Sequence, residues 1–217
     1  MSADQLDHCH CNIPPQTKRG FERRLAFVLS ATTLFLEKGY DDVSLDDVVN
    51  HAGGSKASIY KYFGNKKGLF KAICDYRRDM FFQELFRDKS TFEQLDLEAF
   101  LFKTLENFYR HISQIENQKF IRLLVEQVKH NPDLSEYLYK ECPEKILELV
   151  SQKLICAHQK NIIVCENPIY TSQMYLGILW HIEWQILMGV PLSQNFEEIQ
   201  SYIQYSIKLL LKSVQYR

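Results

Sequence analysis

Apolar residues recur every three or four positions along nearly the whole chain, and no stretch alternates as a half-buried strand would. Across residues 21–38, Leu25, Val28, Leu29, Leu34 and Phe35 mark one side of a helix. Gly39 follows, a residue type that reaches the left-handed conformation in which helices end. Ser44, with Asp46 and Asp47 behind it, reads as an N-cap and acidic first turn for a short helix closing near Ala52. Gly53 and Gly54 supply a turn, Ser55 caps a third helix, and Asn65 caps a fourth that runs to about residue 86. Five more helices are predicted over 93–113, 118–130, 134–159, 168–188 and 196–214. Pro132, Pro143, Pro168 and Pro191 punctuate them, and Pro143 should kink or split the third. The pattern predicts an all-α fold of about nine helices.

These helices fall into two parts behind a tail. Residues 1–17 show no helical period, end in Pro14 and Pro15, and read as a flexible tail. Residues 18–78 make a small unit and residues 79–217 a larger one. A formal net charge of −1 hides their difference. From Lys18 to Arg78 there are 12 Lys or Arg against 7 Asp or Glu, whereas residues 79–217 hold 14 against 18. A basic unit followed by a mildly acidic one points to a nucleic-acid partner for the first alone. No apolar run approaches the 18 residues of a membrane span, and the opening "MSADQLDHCHCNIPPQTKRGFERR" lacks the charged-then-apolar order of a secretory signal. The cysteines at 9, 11, 74, 142, 156 and 165 are scattered and read as reduced thiols. A soluble, cytoplasmic protein without membrane contact is expected.

The small unit concentrates its chemistry in "GGSKASIYKYFGNKKGLF", residues 53–70. Two short helices joined by a glycine turn make a helix-turn-helix, over about residues 43–62, whose second helix can enter a major groove. Such a helix needs hydrogen-bonding side chains for base edges, with cations and hydroxyls beside them for phosphates. Ser55, Lys56, Ser58, Tyr60, Lys61 and Tyr62 supply that set. Ala57 is small enough for close approach, and Ile59 should point into the core. Asn65, Lys66 and Lys67 offer a helix N-terminus and two ammonium groups for a further phosphate. Ser44 offers another a hydroxyl and a backbone N–H.

The stretch "GYDDVSLDDVVNHAGGSKASIYKYFGNKKGLF" resembles the DNA-binding domain of TetR-type transcriptional regulators, densely so over about residues 20–72. The resemblance implies DNA contacts from Ser44, Ser55, Lys56, Ala57, Ser58, Tyr60, Lys61, Tyr62 and Lys66. Tyr60 and Tyr62 would hold phosphates through their hydroxyls, and Lys56 and Ser58 would face base edges. Lys18 and Arg19, just before the first helix, would follow an adjacent groove. Two positions depart from the family pattern. Gly54 stands where an apolar residue is usual and should loosen the turn, and Ala57 stands where glycine is frequent and should favour helix.

One helix-turn-helix reads few base pairs, so a homodimer on a two-fold-symmetric duplex operator is expected. The resemblance implies that the last two helices pack against their copies. "YLGILWHIEWQILMG" is apolar nearly all round, as a helix buried on more than one side would be. Trp180, Trp184, Leu187, Ile199, Ile203, Ile207 and Leu210 are the residues expected at that contact, though part of the last stripe must face the protomer's own core. The resemblance also implies a small-molecule pocket in the larger unit, emptying the operator when filled. The fourth helix joins both parts, so its tilt would set the separation of the recognition helices. Phe100, Asn107, Phe108, His111, Phe120, Gln127, Tyr137, His181 and Trp184 are the expected lining, suited to a bulky apolar effector, or a cationic one held by cation–π attraction. Within the family, "YLGILWHIEWQILMG" and "IPPQTKRGFERR" are similar to repressors of multidrug efflux-pump operons.

Other chemistry weighs less. His8, Cys9, His10 and Cys11 are four metal-ligand types in a row, but neighbouring ligands do not surround a tetrahedral ion well, and no metal or other cofactor is expected. Cys74 falls on an apolar helical position and should be buried and inert. No phosphate loop, H-E-x-x-H or G-x-S-x-G motif argues for an enzyme. The alternatives are a helical protein-binding adaptor or a small-molecule enzyme without a DNA target; neither accounts for the basic surplus around the helix-turn-helix.

Overall fold

The computed structural model describes residues 15–86, 95–129, 131–192 and 195–214. They are helical, with no strand among them, and form two compact units that divide between Asp79 and Met80.

The first unit holds α1 (Lys18–Lys38), α2 (Leu45–Ala52), α3 (Lys56–Phe63) and most of α4 (Lys66–Leu85). Helix α1 starts three residues before the first apolar repeat, because the Thr17 hydroxyl accepts from the Gly20 N–H at 3.2 Å and caps it. Lys18 and Arg19 therefore lie in its first turn, not ahead of it. Phe27, Ala31 and Phe35 of α1 meet Val48 of α2, Ile59 and Phe63 of α3, and Leu69 and Ile73 of α4 in one core. Each fully buried side chain of this size contributes about 1.5–3 kcal/mol. The rings of Phe35, Tyr40 and Phe70 close one end, with centroids 5.2–6.0 Å apart. Cys74 is buried there, and burial pushes its thiol up to about 12, so it carries no thiolate near neutral pH.

The second unit contains α5 (Leu97–Ile112), α6 (Ile115–Val128), α7 (Pro132–Tyr139), α8 (Lys145–Gln159), α9 (Pro168–Leu176), α10 (Trp180–Leu187) and α11 (Phe196–Ser213). Helices α7 and α8 are one helical run interrupted at Lys140–Glu144, where Pro143 has no N–H to give and the chain widens into a π turn. Helices α9 and α10 are likewise joined, through a 3₁₀ turn at Gly177–Leu179. Counted as runs, the described residues give the nine helices expected.

Leu101 and Leu105 of α5, Val150 and Leu154 of α8, Tyr175 of α9 and Ile182 and Ile186 of α10 make the larger core. The buried Tyr175 hydroxyl donates to the Leu101 carbonyl at 2.8 Å, so its polar tip is satisfied. Ile199, Ile203, Ile207 and Leu210 complete this core from α11. That corrects their expected place at a dimer contact: the repeat of fours and threes is consumed inside the protomer, and none is free to meet a partner. Nor is the 168–188 segment buried all round. Tyr175, Leu179, Ile182 and Ile186 face inward, while Trp180 and Trp184 are 61% and 53% exposed and stacked on one another at 6.2 Å. No described helix is long and apolar enough to cross a membrane.

Candidate nucleic-acid interface

The helix-turn-helix is built by its caps. Ser44 accepts from the Asp47 N–H at 3.1 Å, and Asp47 Oδ2 accepts from the Ser44 N–H at 2.8 Å. This is a capping box with Asp in place of the commoner Glu, and the bonds from Ser44 hold the Asp47 carboxyl below the usual carboxylate range. Ser44 thus spends its hydroxyl and its N–H on the helix start, and a phosphate would have to share them.

The turn that follows is fixed by α1. Arg23 Nη1 donates to the Gly53 carbonyl at 2.9 Å. Gly54 has φ +123°, and a Cβ there would come within 3.0 Å of Phe27 Cζ and 3.3 Å of the Arg23 guanidinium. The expected slackness at Gly54 is not found: the glycine lets α1 approach closely, and Arg23 holds the turn. Arg23 was missed from sequence because its partner is a backbone carbonyl 30 positions away.

Helix α3 separates its two faces cleanly. Ile59 and Phe63 are buried, with Phe63 edge-on to Phe27 at 6.4 Å and covered by the Arg24 guanidinium at 5.2 Å. Ser55, Lys56, Ala57, Tyr60 and Lys61 are exposed, and Ser58 and Tyr62 are half-buried. Ser55 caps the helix through the Ser58 N–H at 3.2 Å, and the two hydroxyls meet at 2.9 Å. Lys56 Nζ donates to Asp46 Oδ2 of α2 at 2.6 Å, which raises the lysine's pKa.

Asn65 Oδ1 accepts from the Gly68 N–H at 2.9 Å and starts α4. Gly68 is required: a Cβ would stand 2.0 Å from the Phe63 carbonyl oxygen. Lys66 is less available than expected. Its ammonium donates to the Asp41 carbonyl at 3.2 Å and lies 4.3 Å from the Tyr40 ring centroid, and burial lowers its pKa. Lys67 is exposed, as are Lys18 and Arg19.

The second unit holds an apolar cavity of about 440 Å³. Phe108 of α5, Tyr139 of α7, Cys142 and Pro143 of the π turn, Gly177 of the 3₁₀ turn, and Trp180 and Glu183 of α10 are on its wall. Both interruptions of the helical runs border it. Of the nine residues expected to line a pocket, Phe108 is the one on the wall of this cavity. Phe100 is packed in the core under Lys153 Nζ, and Phe120 and Gln127 are buried elsewhere. Asn107 donates to the Leu85 carbonyl at 3.1 Å, and His111 Nδ1 meets Glu84 Oε2 at 2.9 Å. Tyr137 is off the wall, His181 is exposed and edge-on to Tyr202, and Trp184 faces outward. Aromatic density marked buried positions such as Phe100 and Phe120 without separating core from cavity wall, and α6, which carries Phe120 and Gln127, gives no residue to this wall. Among the described residues no cluster could hold a metal ion, and His8, Cys9, His10 and Cys11 lie outside those residues.

Residues 28–73 match the model of "Bacterial regulatory proteins, tetR family". Residues 99–213, more than half of the chain, match that of "AefR-like transcriptional repressor, C-terminal domain". The chain belongs to the TetR family. A TetR-family protein of this kind is a DNA-binding transcription factor rather than an enzyme. Similar relatives include the negative transcriptional regulator IcaR of the biofilm operon icaADBC. The Staphylococcus aureus (strain Newman) protein is 32% identical over 122 residues, 52% of this chain and 63% of its own length. The Staphylococcus epidermidis protein is 31% identical over 148 residues, 68% of this chain and 75% of its own. This TetR chain thus spans somewhat under two thirds of the S. aureus relative it matches. Among solved structures, a TetR-family regulator from Mesorhizobium loti superposes with a TM-score of 0.81 at 19% identity, covering 91% of this chain and 98% of that one. The flavonoid-responsive regulator FrrA gives 0.73 at 21%, covering 89% and 97%. At such identities the likeness is one of fold.

Proposed function

We propose that this TetR-family protein is a homodimeric repressor that occupies a two-fold-symmetric operator and leaves it when a small molecule fills the cavity of the second unit. The observation that carries the DNA half is the division of α3, with Ile59 and Phe63 buried and Ser55, Lys56, Ala57, Tyr60 and Lys61 left outside. Lys56 and Ser58 read base edges, while Tyr60, Tyr62, Lys61 and Lys67 hold phosphates. Lys18 and Arg19, turned out at the start of α1, reach the flanking backbone. Repression is supported by the IcaR relatives, which are negative regulators. Response to a ligand is supported by the cavity and by the existence of a flavonoid-responsive regulator among the proteins of similar fold. The effector need only prefer the arrangement that does not fit DNA, since a population shift depends on differential affinity alone.

On the resemblance of "YLGILWHIEWQILMG" and "IPPQTKRGFERR" to repressors of such operons, we propose a multidrug efflux operon as the regulated target. A second reading, control of a surface-polysaccharide or biofilm operon, is favoured by the IcaR relatives. Transcript profiling of a deletion strain separates the two. Induction of efflux-pump transcripts, with the purified protein binding their promoter in a strongly salt-dependent way, supports the first. Induction of biofilm genes alone replaces it with the second, and no induction anywhere contradicts repression.

A further inference from the structure

The cavity of the second unit contains a carboxylate that no described residue neutralises. Glu183 lines it from α10 and makes no hydrogen bond or ion pair with any described residue. The same wall carries Leu105, Phe108, Ile146, Leu176 and Trp180, its other polar groups are the uncharged Thr104, Tyr139 and Gln173, and no described lysine, arginine or histidine is on it. Burial is the one cause that raises its pKa, to about 7. Such a group costs stability while the cavity is empty, because an apolar wall solvates a carboxylate poorly. A neutral guest would leave that cost in place, whereas a guest bearing positive charge would remove it.

We infer that the cavity takes a lipophilic monocation, with Glu183 as its counter-ion and the Trp180 and Phe108 rings as its apolar and cation–π contacts. The volume suits a compound of three or four rings, about the lower part of the 300–1,000 Å³ usual for ligand sites. The π turn at Lys140–Glu144 and the 3₁₀ turn at Gly177–Leu179 make room for it, by displacing two helical runs from ideal packing. This inference rests on the reading of the same cavity as the effector site and adds the chemistry of the effector.

The test uses the full chain without DNA. Tetraphenylphosphonium, whose charge does not titrate, and neutral triphenylphosphine oxide are titrated against the wild type and Glu183→Gln by calorimetry and tryptophan fluorescence. The cation is expected to bind the wild type and to lose about ten-fold or more in affinity in E183Q. The neutral probe should change less than about two-fold, the spread of a context effect. Gly177→Leu should abolish binding of both probes, because a Cβ at this wall position meets nothing within 4 Å and the longer side chain would occupy the space. Equal affinity of the cation for wild type and E183Q overturns the inference, as does failure of the cation to bind the wild type. If the neutral probe binds and Gly177→Leu removes it, the effector site survives while the cation anchor falls. If neither probe binds, both fall and operator binding is untouched.

Discussion

The Lys56 ammonium rests on Asp46, and under the proposed reading DNA would have to take it away. The pair is exposed, so it adds little to stability; what it does is hold the lysine over α2 in a defined place. If Lys56 then reads a base, Lys56→Ala should weaken operator binding by about ten- to a hundred-fold and relax the preference at one base pair. Tyr60→Phe should weaken all sequences alike if its hydroxyl addresses phosphate as proposed. Competition binding against single-base operator variants checks both, and equal, sequence-independent losses contradict the base-reading role. Glu183 makes a different prediction. Its folded pKa of about 7 lies above the value of a free carboxyl, so the folded state holds its proton longer than the unfolded chain does. Stability from this group is full below the unfolded pKa and is lost as pH rises toward 7. Glu183→Gln should therefore melt several degrees above the wild type at pH 8, with the gap closing toward pH 5. A gap that does not change with pH would mean the carboxyl is solvated. The α3 serines, lysines and tyrosines were legible because a short helix displays its residues in a fixed order. Asp46 beneath Lys56 was not, because that contact depends on how α2 and α3 meet.

Three helix starts were legible from their caps: Ser44, Ser55 and Asn65 each accept the N–H three residues on, whereas α5, capped by Asp96, begins four residues after its expected start at 93. Thr17 was overlooked since no apolar repeat begins behind it. The glycines needed the fold to be understood. Nothing local says that Gly54 must admit Phe27 and Arg23, or that Gly68 lies against the Phe63 carbonyl. Gly68→Ala should force α3 and α4 apart and cost about 1–3 kcal/mol, as strained backbone substitutions do. The check is a lower melting temperature with loss of operator binding in step. An unchanged melt would show that the Asn65 turn has room to move. Pro143 was read correctly as a break, while the 3₁₀ turn at Gly177 was missed, since one glycine within nineteen otherwise helical residues is a weak signal.

For the whole molecule, the sequence pattern established two helical units and their charges but exchanged the faces of the last helix. A stripe at threes and fours shows that α11 has an apolar side without saying whether it faces its own core or a copy. The structure spends Ile199, Ile203, Ile207 and Leu210 inside. It leaves Trp180, Trp184, Met188, Tyr205 and Leu209 outside, a concentration of large apolar side chains that a dimer would cover. Trp184→Lys should therefore give a folded monomer, whereas Ile203→Lys should unfold the second unit. Sedimentation with circular dichroism separates the outcomes, and a dimer that survives Trp184→Lys places the contact elsewhere. The central claim, a dimer reading a symmetric operator through α3, is tested most directly by selecting random duplex DNA on the purified protein, sequencing the bound pool and measuring the stoichiometry of the recovered site. The account predicts an inverted repeat bound by one or more dimers. An asymmetric motif bound by one chain, or no motif at all with binding that stays weak at low salt, would contradict it.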